Sequence, residues 1–183
     1  MSPDSRSEKS IALVLAAHGD RGGPAYNDGL AAHVAALTAM NGTPSLEDAL
    51  ALAERSGAEW ILVYPLFMSD GYFAGEILPE RIAGAKLRVL TSILQPLGLD
   101  RRVSLLMLEN ALNAAKSAGL DAGQVRLLVA GHGSKHGPAN AESTKRAARS
   151  LAPHSPFARI ETAFLEEAPL VGEALGNYSG TSV

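Results

Sequence analysis

The sequence predicts an α/β fold made of two similar halves, each a mostly parallel sheet flanked by helices, facing each other across a cleft. Three observations predict it. Residues 126–131 form a short apolar run that stops at His132, which is held between Gly131 and Gly133. Residues 11–25 repeat residues 125–139 without a gap, with His18 on His132, Gly19 on Gly133, Gly23 on Gly137, Pro24 on Pro138 and Ala25 on Ala139. Each run is followed by glycine and then a polar helix start, the pattern of a buried parallel strand feeding a crossover helix. Strand and helix alternate, and right-handed crossovers favour one sheet per half. Each histidine is thereby placed at a strand's carboxyl end, where open α/β sheets bind ligands.

In chain order, residues 11–17 read as the first strand and 18–23 as a loop. Pro24 suits a first helical turn, where its missing N–H would have no partner, and that helix is expected to run through Leu30, Val34 and Leu37. Ser45 with Asp48 resembles a capping box, opening a helix with Leu46, Ala49, Leu50 and Ala53 on its apolar face and Gly57 at its end. Residues 60–67 read as a second buried strand, 68–79 as a glycine-punctuated loop and candidate site wall, and 87–94 as a third strand. A helix follows over 101–118, with Val103, Leu106, Asn110 and Ala114 on its face, widened by Leu105, Leu108 and Leu112.

The second half repeats the plan, with a helix from Asn140 toward Pro153, a strand over 157–165 and a helix from Pro169. The interval from Asn140 to Thr162 is twice that from Asn27 to Thr38, so the first half is expected either to lack a strand or to be missing residues. The halves are expected to divide as residues 1–118 and 119–183. The second is expected to be incomplete, because residues 179–183 match 56–60 and stop where a copy of the 60–79 strand and loop should begin.

Composition narrows the function. The 183 residues are 46% hydrophobic and 19% charged, with net charge −3. That argues against disorder and against a broad nucleic-acid surface, leaving a small molecule or a protein as partner. The absence of cysteine removes disulfides, thiolate metal sites and a cysteine nucleophile, and the default location is cytoplasmic. No apolar run approaches membrane-spanning length.

The chain resembles the CbiX-type class II chelatases, the sirohydrochlorin cobalto- and ferrochelatases of cobalamin and siroheme biosynthesis. Gly131-His132-Gly133-Ser134-Lys135 with Asn140 matches that family's strand-end histidine block, and Ala163-Phe164-Leu165-Glu166 with Pro169 matches its glutamate block. Pro65-Leu66-Phe67-Met68 with residues 71–79 matches a third block. Three departures fall in the first half, where Phe73 stands at the family's second histidine, Ile77 at its aspartate and Gly42 at its glutamate. The resemblance therefore implies that His132 and Glu166 hold the metal and act in catalysis in the second half, that His18 is what the first half retains, and that Ser134 and Asn140 lie at the substrate. It implies a tetrapyrrole substrate, no organic cofactor, and cobalt, iron or nickel as the ion inserted, and it leaves a homodimer open.

The chemistry fits these residue types. Insertion needs donors that hold a divalent ion loosely, accept two pyrrole protons and release the product. Imidazole and carboxylate bind such ions without thiolate's preference for softer metals, and a free imidazole, with a pKa near ~6.5, takes up protons around neutral pH. Carboxylates on the substrate call for rim cations, for which Arg21, Lys135 and Arg159 are candidates. Tyr72 and Phe73 offer rings on which a planar macrocycle would stack. Other readings stay open. Glu166 could be a helix-start acid facing the dipole, a role Glu167 would fill equally well; His136, His33 and His154 read as surface residues. A catalytically silent tetrapyrrole or metal-ion binding protein of the same fold is the second function class. Phosphoryl transfer from a strand-end histidine would need an arginine just before it to hold phosphate, and Ala17 and Gly131 occupy those places.

Overall fold

The computed structural model describes residues 10–17, 37–39, 44–135 and 137–176. Their contacts divide into two compact units, Met1–Phe67 with Phe73–Pro96, and Met68–Tyr72 with Leu97–Val183. The first holds a four-stranded, all-parallel sheet in the order β2-β1-β3-β4, from strands β1 (Ile11–Ala17), β2 (Leu37–Ala39), β3 (Trp60–Pro65) and β4 (Leu90–Ile93). The second holds a parallel pair, β5 (Arg126–Gly131) and β6 (Arg159–Phe164). The α/β class and the plan of two related halves are as expected. Among the described residues no helix is long and apolar enough to cross a membrane.

In the first unit, β3 alternates between buried and half-buried positions, so Ile61, Val63 and Pro65 point into the core. Val14 and Ala16 of β1 join them. Helix α1 (Leu46–Arg55) covers this face with Leu46, Ala49, Leu50 and Ala53. Its start is the expected capping box, in which the Asp48 N–H donates to Ser45 Oγ at 3.1 Å and the Ser45 N–H donates to Asp48 Oδ2 at 3.4 Å. Helix α2 (Leu78–Gly84) adds Leu78 to the same core. It is clamped to α1 by Arg81, whose Nε and Nη2 donate to the two carboxylate oxygens of Glu47 at 2.7 and 2.5 Å. That fork holds the Glu47 carboxyl below its usual range, and because both side chains keep contact with water its contribution is of the order of 1 kcal/mol or less.

Three expectations fail in this unit. Leu37 does not extend a helix but begins β2, and Leu15 pairs with Leu37 in the register of β1 on β2. The strand thought to be missing is therefore present, only three residues long and too short to leave a periodic signal. Residues 73–79 are not loop: a π-helical turn, Phe73–Ile77, runs into α2, with Pro79 in its first turn. The strand expected over 87–94 is confined to β4, while Leu87 and Val89 pack against the core before it.

The second unit is built on helices α3 (Arg101–Ser117) and α4 (Ala139–Leu151) over the β5–β6 pair. Its core joins Leu108 and Ala115 of α3, Val129 of β5, Ala148 and Leu151 of α4, and Phe157. Two corrections follow. The units do not divide at residue 118, because α3 packs in the second unit; sequence alone does not say to which repeat an intervening helix belongs. The buried face of α3 runs along Ser104, Leu108 and Ala115, while Leu106 is exposed. Several leucines along α3 leave its apolar stripe ambiguous, and packing against α4 and the rest of this core decides which line is used.

Leu50 is fully buried, so Leu50→Ala should lower stability by about 2–5 kcal/mol, read by denaturant unfolding followed through Trp60, the single tryptophan. An unchanged midpoint would show that this core does not hold the unit. Asp100 caps α3, accepting from the Arg102 N–H at 2.8 Å. Its carboxyl is pulled down to about 2, first by the hydrogen bonds from the Arg102 guanidinium and then by that backbone bond. A lowered carboxyl stabilises the fold above the ordinary aspartate range, and the contribution is lost as pH falls through about 2. Carboxyl-resolved NMR titration should place Asp100 there and show it rising in Arg102→Ala; an unmoved value in the variant would remove the guanidinium as the cause.

Candidate functional site

The site grows from the ends of β5 and β6. The two strands pair in parallel from Arg126 opposite Arg159 to Gly131 opposite Phe164, so both chains leave the sheet at the same end. The loops beyond remain tied. The Leu165 N–H donates to the carbonyls of Gly131 and His132 at 3.1 and 3.2 Å, and the Glu166 N–H donates to the His132 carbonyl at 3.1 Å. The Phe164 N–H donates to the Pro169 carbonyl at 2.8 Å, closing the turn that carries Glu166 and Glu167.

This backbone brings the His132 Nδ1 and the Glu166 Oε2 to 3.8 Å, with side chains 68% and 45% exposed. The separation exceeds a hydrogen bond. An imidazole and a carboxylate stand side by side, open to solvent, with room for a third party between them. Beneath them, Gly133 adopts φ +71°. A Cβ there would lie 2.9 Å from Glu167 Cγ and 3.1 Å from the Phe164 Cβ, so the turn needs glycine both for its backbone angle and for space.

Asn140, in the first turn of α4, holds the turn from the other side: its Nδ2 donates to the Gly133 carbonyl at 3.3 Å, and its Oδ1 accepts from Ser69 Oγ at 2.6 Å. One turn on, Ser143 Oγ donates to Asp70 Oδ1 at 3.0 Å, and the Arg146 guanidinium lies 4.0 Å from Asp70. The Met68–Tyr72 segment is thus fastened along α4. Between them a cavity of about 330 Å³ opens beside His132, lined by Met68, Ser69, Met107, Asn140 and Thr144 among others.

Of the residues singled out from sequence, the structure brings His132, Glu166, Ser134 and Asn140 together, with Lys135 exposed in the same loop. Asn140 spends its amide on the protein's own turn and on Ser69, which is structural use of a residue expected at the substrate. Tyr72 is 60% exposed at the end of the docked segment. Phe73 falls in the first unit, 38% exposed, its ring stacked on Phe67 with centroids 6.5 Å apart and planes 18° from parallel. Arg159 stands at the start of β6, the end of the sheet away from His132, with its Nε 3.1 Å from Glu161; it does not belong to this rim. His18 and Arg21, like His136 and Gly42, lie outside the described residues.

Sequence reasoning missed three contributors. From sequence Glu167 reads only as an alternative to Glu166 at a helix start, whereas its Oε1 accepts from the Ser134 N–H at 2.8 Å. Ser69 and Asp70 read as turn residues before Gly71, and nothing local signals that their partners lie on α4.

The sequence profile of the CbiX family matches residues 12–114, from β1 through most of α3. Among curated proteins no sequence relative matches. Three solved structures resemble the chain over most of its length. The structure of CbiX, the terminal enzyme for biosynthesis of siroheme in denitrifying bacteria, shares 32% identity at a TM-score of 0.71, over 89% of this chain and 73% of that one. SirB from Bacillus subtilis with Fe3+ shares 22% at 0.74, over 92% and 71%. The sirohydrochlorin chelatase SirB from Bacillus subtilis subspecies spizizenii, in complex with cobalt, shares 22% at 0.67, over 91% and 70%. The two SirB likenesses concern the fold. With more than half its length matched by the family profile and one solved CbiX at 32% identity, the chain belongs to the CbiX family.

Proposed function

We propose that the protein inserts a divalent metal ion, cobalt or iron, into sirohydrochlorin or a closely related tetrapyrrole, and that His132 and Glu166 receive the ion. The observation that carries this reading is the 3.8 Å separation of His132 Nδ1 and Glu166 Oε2 at the carboxyl ends of adjacent parallel strands. With metal–nitrogen and metal–oxygen bonds of about 2.0–2.2 Å, two donors on one ion lie between about 3 and 4.2 Å apart as the angle at the ion opens from a right angle to a straight line. The observed spacing falls inside that window, so the pair can take up an ion with little rearrangement.

Insertion exchanges the ion for two pyrrole protons. An open imidazole–carboxylate pair supplies both functions needed: a modest, oxygen- and nitrogen-based hold on a first-row ion, and acceptors for the protons as the ring nitrogens take the metal. Two ligands leave the ion's other positions to water or to the macrocycle, which suits a donor that must let its metal go. The exposure of Lys135 and Tyr72 supports roles at the substrate, the first by charge toward carboxylates and the second as a ring for stacking. Phe73 takes the place of the family's second histidine, and on that departure rests the second reading, a tetrapyrrole or metal-ion binding protein that does not turn over.

The insertion assay separates the readings. Sirohydrochlorin should lose its metal-free absorption spectrum on adding cobalt(II) or iron(II) with the protein, at a rate lowered about 100-fold or more in His132→Ala and about 10- to 100-fold in Glu166→Gln. His18→Ala should cost much less. Tight binding of sirohydrochlorin with no insertion above the protein-free rate would overturn the enzyme reading in favour of the binding one, and equal losses in His132→Ala and His18→Ala would displace the site from His132.

A further inference from the structure

The two adjacent glutamates of the β6 loop face different partners, and we infer that Glu167 is a positioning residue: its carboxylate fixes the His132-Gly133-Ser134 turn and thereby the placement of His132 beside Glu166. This rests on the metal-site reading above and assigns a task to a residue that would touch neither metal nor substrate.

Four observations carry it. The Ser134 N–H donates to Glu167 Oε1 at 2.8 Å, a charge-assisted bond between the loop after β5 and the loop after β6. The Glu167 stem lies directly against Gly133, where an added Cβ would come within 2.9 Å of both Cγ and Oε1. Glu167 is partly buried while Glu166 is exposed, so the first points back into the turn and the second out toward His132. The Glu166 N–H meanwhile donates to the His132 carbonyl. A backbone bond therefore fixes Glu166 relative to His132, and a side-chain bond fixes the residues after His132 relative to Glu167. Remove the second and the turn at Gly133, whose left-handed angle glycine alone adopts cheaply, is held by Asn140 Nδ2 at 3.3 Å as its remaining polar side-chain tie among the described contacts.

What Glu167 supplies is an acceptor at a given reach, and two variants isolate that. Glu167→Gln keeps an oxygen at the same distance and removes the charge; Glu167→Asp keeps the charge and withdraws the oxygen by one methylene. Cobalt(II) alone is the probe, titrated without tetrapyrrole and followed through its visible absorption band, alongside hydrogen exchange of the Ser134 amide. Glu167→Asp should weaken cobalt(II) about 10-fold or more and change the shape of the band, as losing an outer partner of a metal ligand does, while Glu167→Gln stays within about 3-fold of the parent. Ser134 exchange should accelerate strongly in Glu167→Asp and only slightly in Glu167→Gln. The opposite order, with Asp unaffected and Gln impaired, would show that charge and not position is what Glu167 provides, and would overturn the proposal. So would no band in the parent protein, or cobalt(II) affinity unchanged in both variants. Absent insertion with the Asp–Gln contrast intact would instead defeat the enzyme reading and leave the positioning role standing.

Discussion

Everything at the candidate site depends on the register in which β5 lies on β6. Gly131 opposite Phe164 means that two parallel strands, about 4.8 Å apart, end together. The residue after one is His132, and the second residue after the other is Glu166. A slip of one residue in either strand would turn every side chain to the opposite face and separate the two groups. Mutual attraction does not place them: both are exposed, and a solvent-exposed ion pair contributes only about 0–1 kcal/mol. The placing is done by backbone bonds from Leu165 and Glu166 to the Gly131 and His132 carbonyls, which continue the sheet past its formal end.

Such a junction requires room, and two glycines provide it. A side chain at Gly131 would run into the Thr144 hydroxyl on α4, and one at Gly133 would meet Glu167 and Phe164. The helix can therefore lie close enough for Asn140 to reach the Gly133 carbonyl, and Asn140 in turn reaches Ser69. Small residues in the turn, a short amide on the helix and a serine on the docked segment form one connected set, in which each member's size is dictated by the next.

This explains which features could be read from sequence. The strand ends were legible because a glycine–histidine–glycine stop after an apolar run repeats at two places, and the α1 start because Ser45 and Asp48 lie within one turn of each other. Both are local. The three-residue β2 was not legible, since it exists only through its pairing with β1, and Leu37 also continued a helical spacing. α2 was hidden behind the glycines of the preceding segment, although Pro79 was a fair sign of a first turn. At the site, residue types pointed to His132 and Glu166, but the use of Asn140 and Glu167 on the protein's own backbone is a matter of long-range geometry, for which no spacing rule exists.

The departures in the first repeat also acquire a physical sense. Phe73 opens a π-helical turn and stacks on Phe67 at a centroid distance where aromatic pairs gain about 0.5–1.5 kcal/mol beyond their burial. A histidine there would replace that apolar stacking on Phe67 with a polar ring that gains less from the contact. Where such a position serves no ion, packing favours the phenylalanine. The same argument runs the other way in the second repeat, where His132 stays exposed beside a carboxylate and gains nothing evident for the fold. An imidazole that does not stabilise its surroundings, set on a turn that takes two glycines, an asparagine and a glutamate to hold, supports the proposal that His132 is there for what it binds.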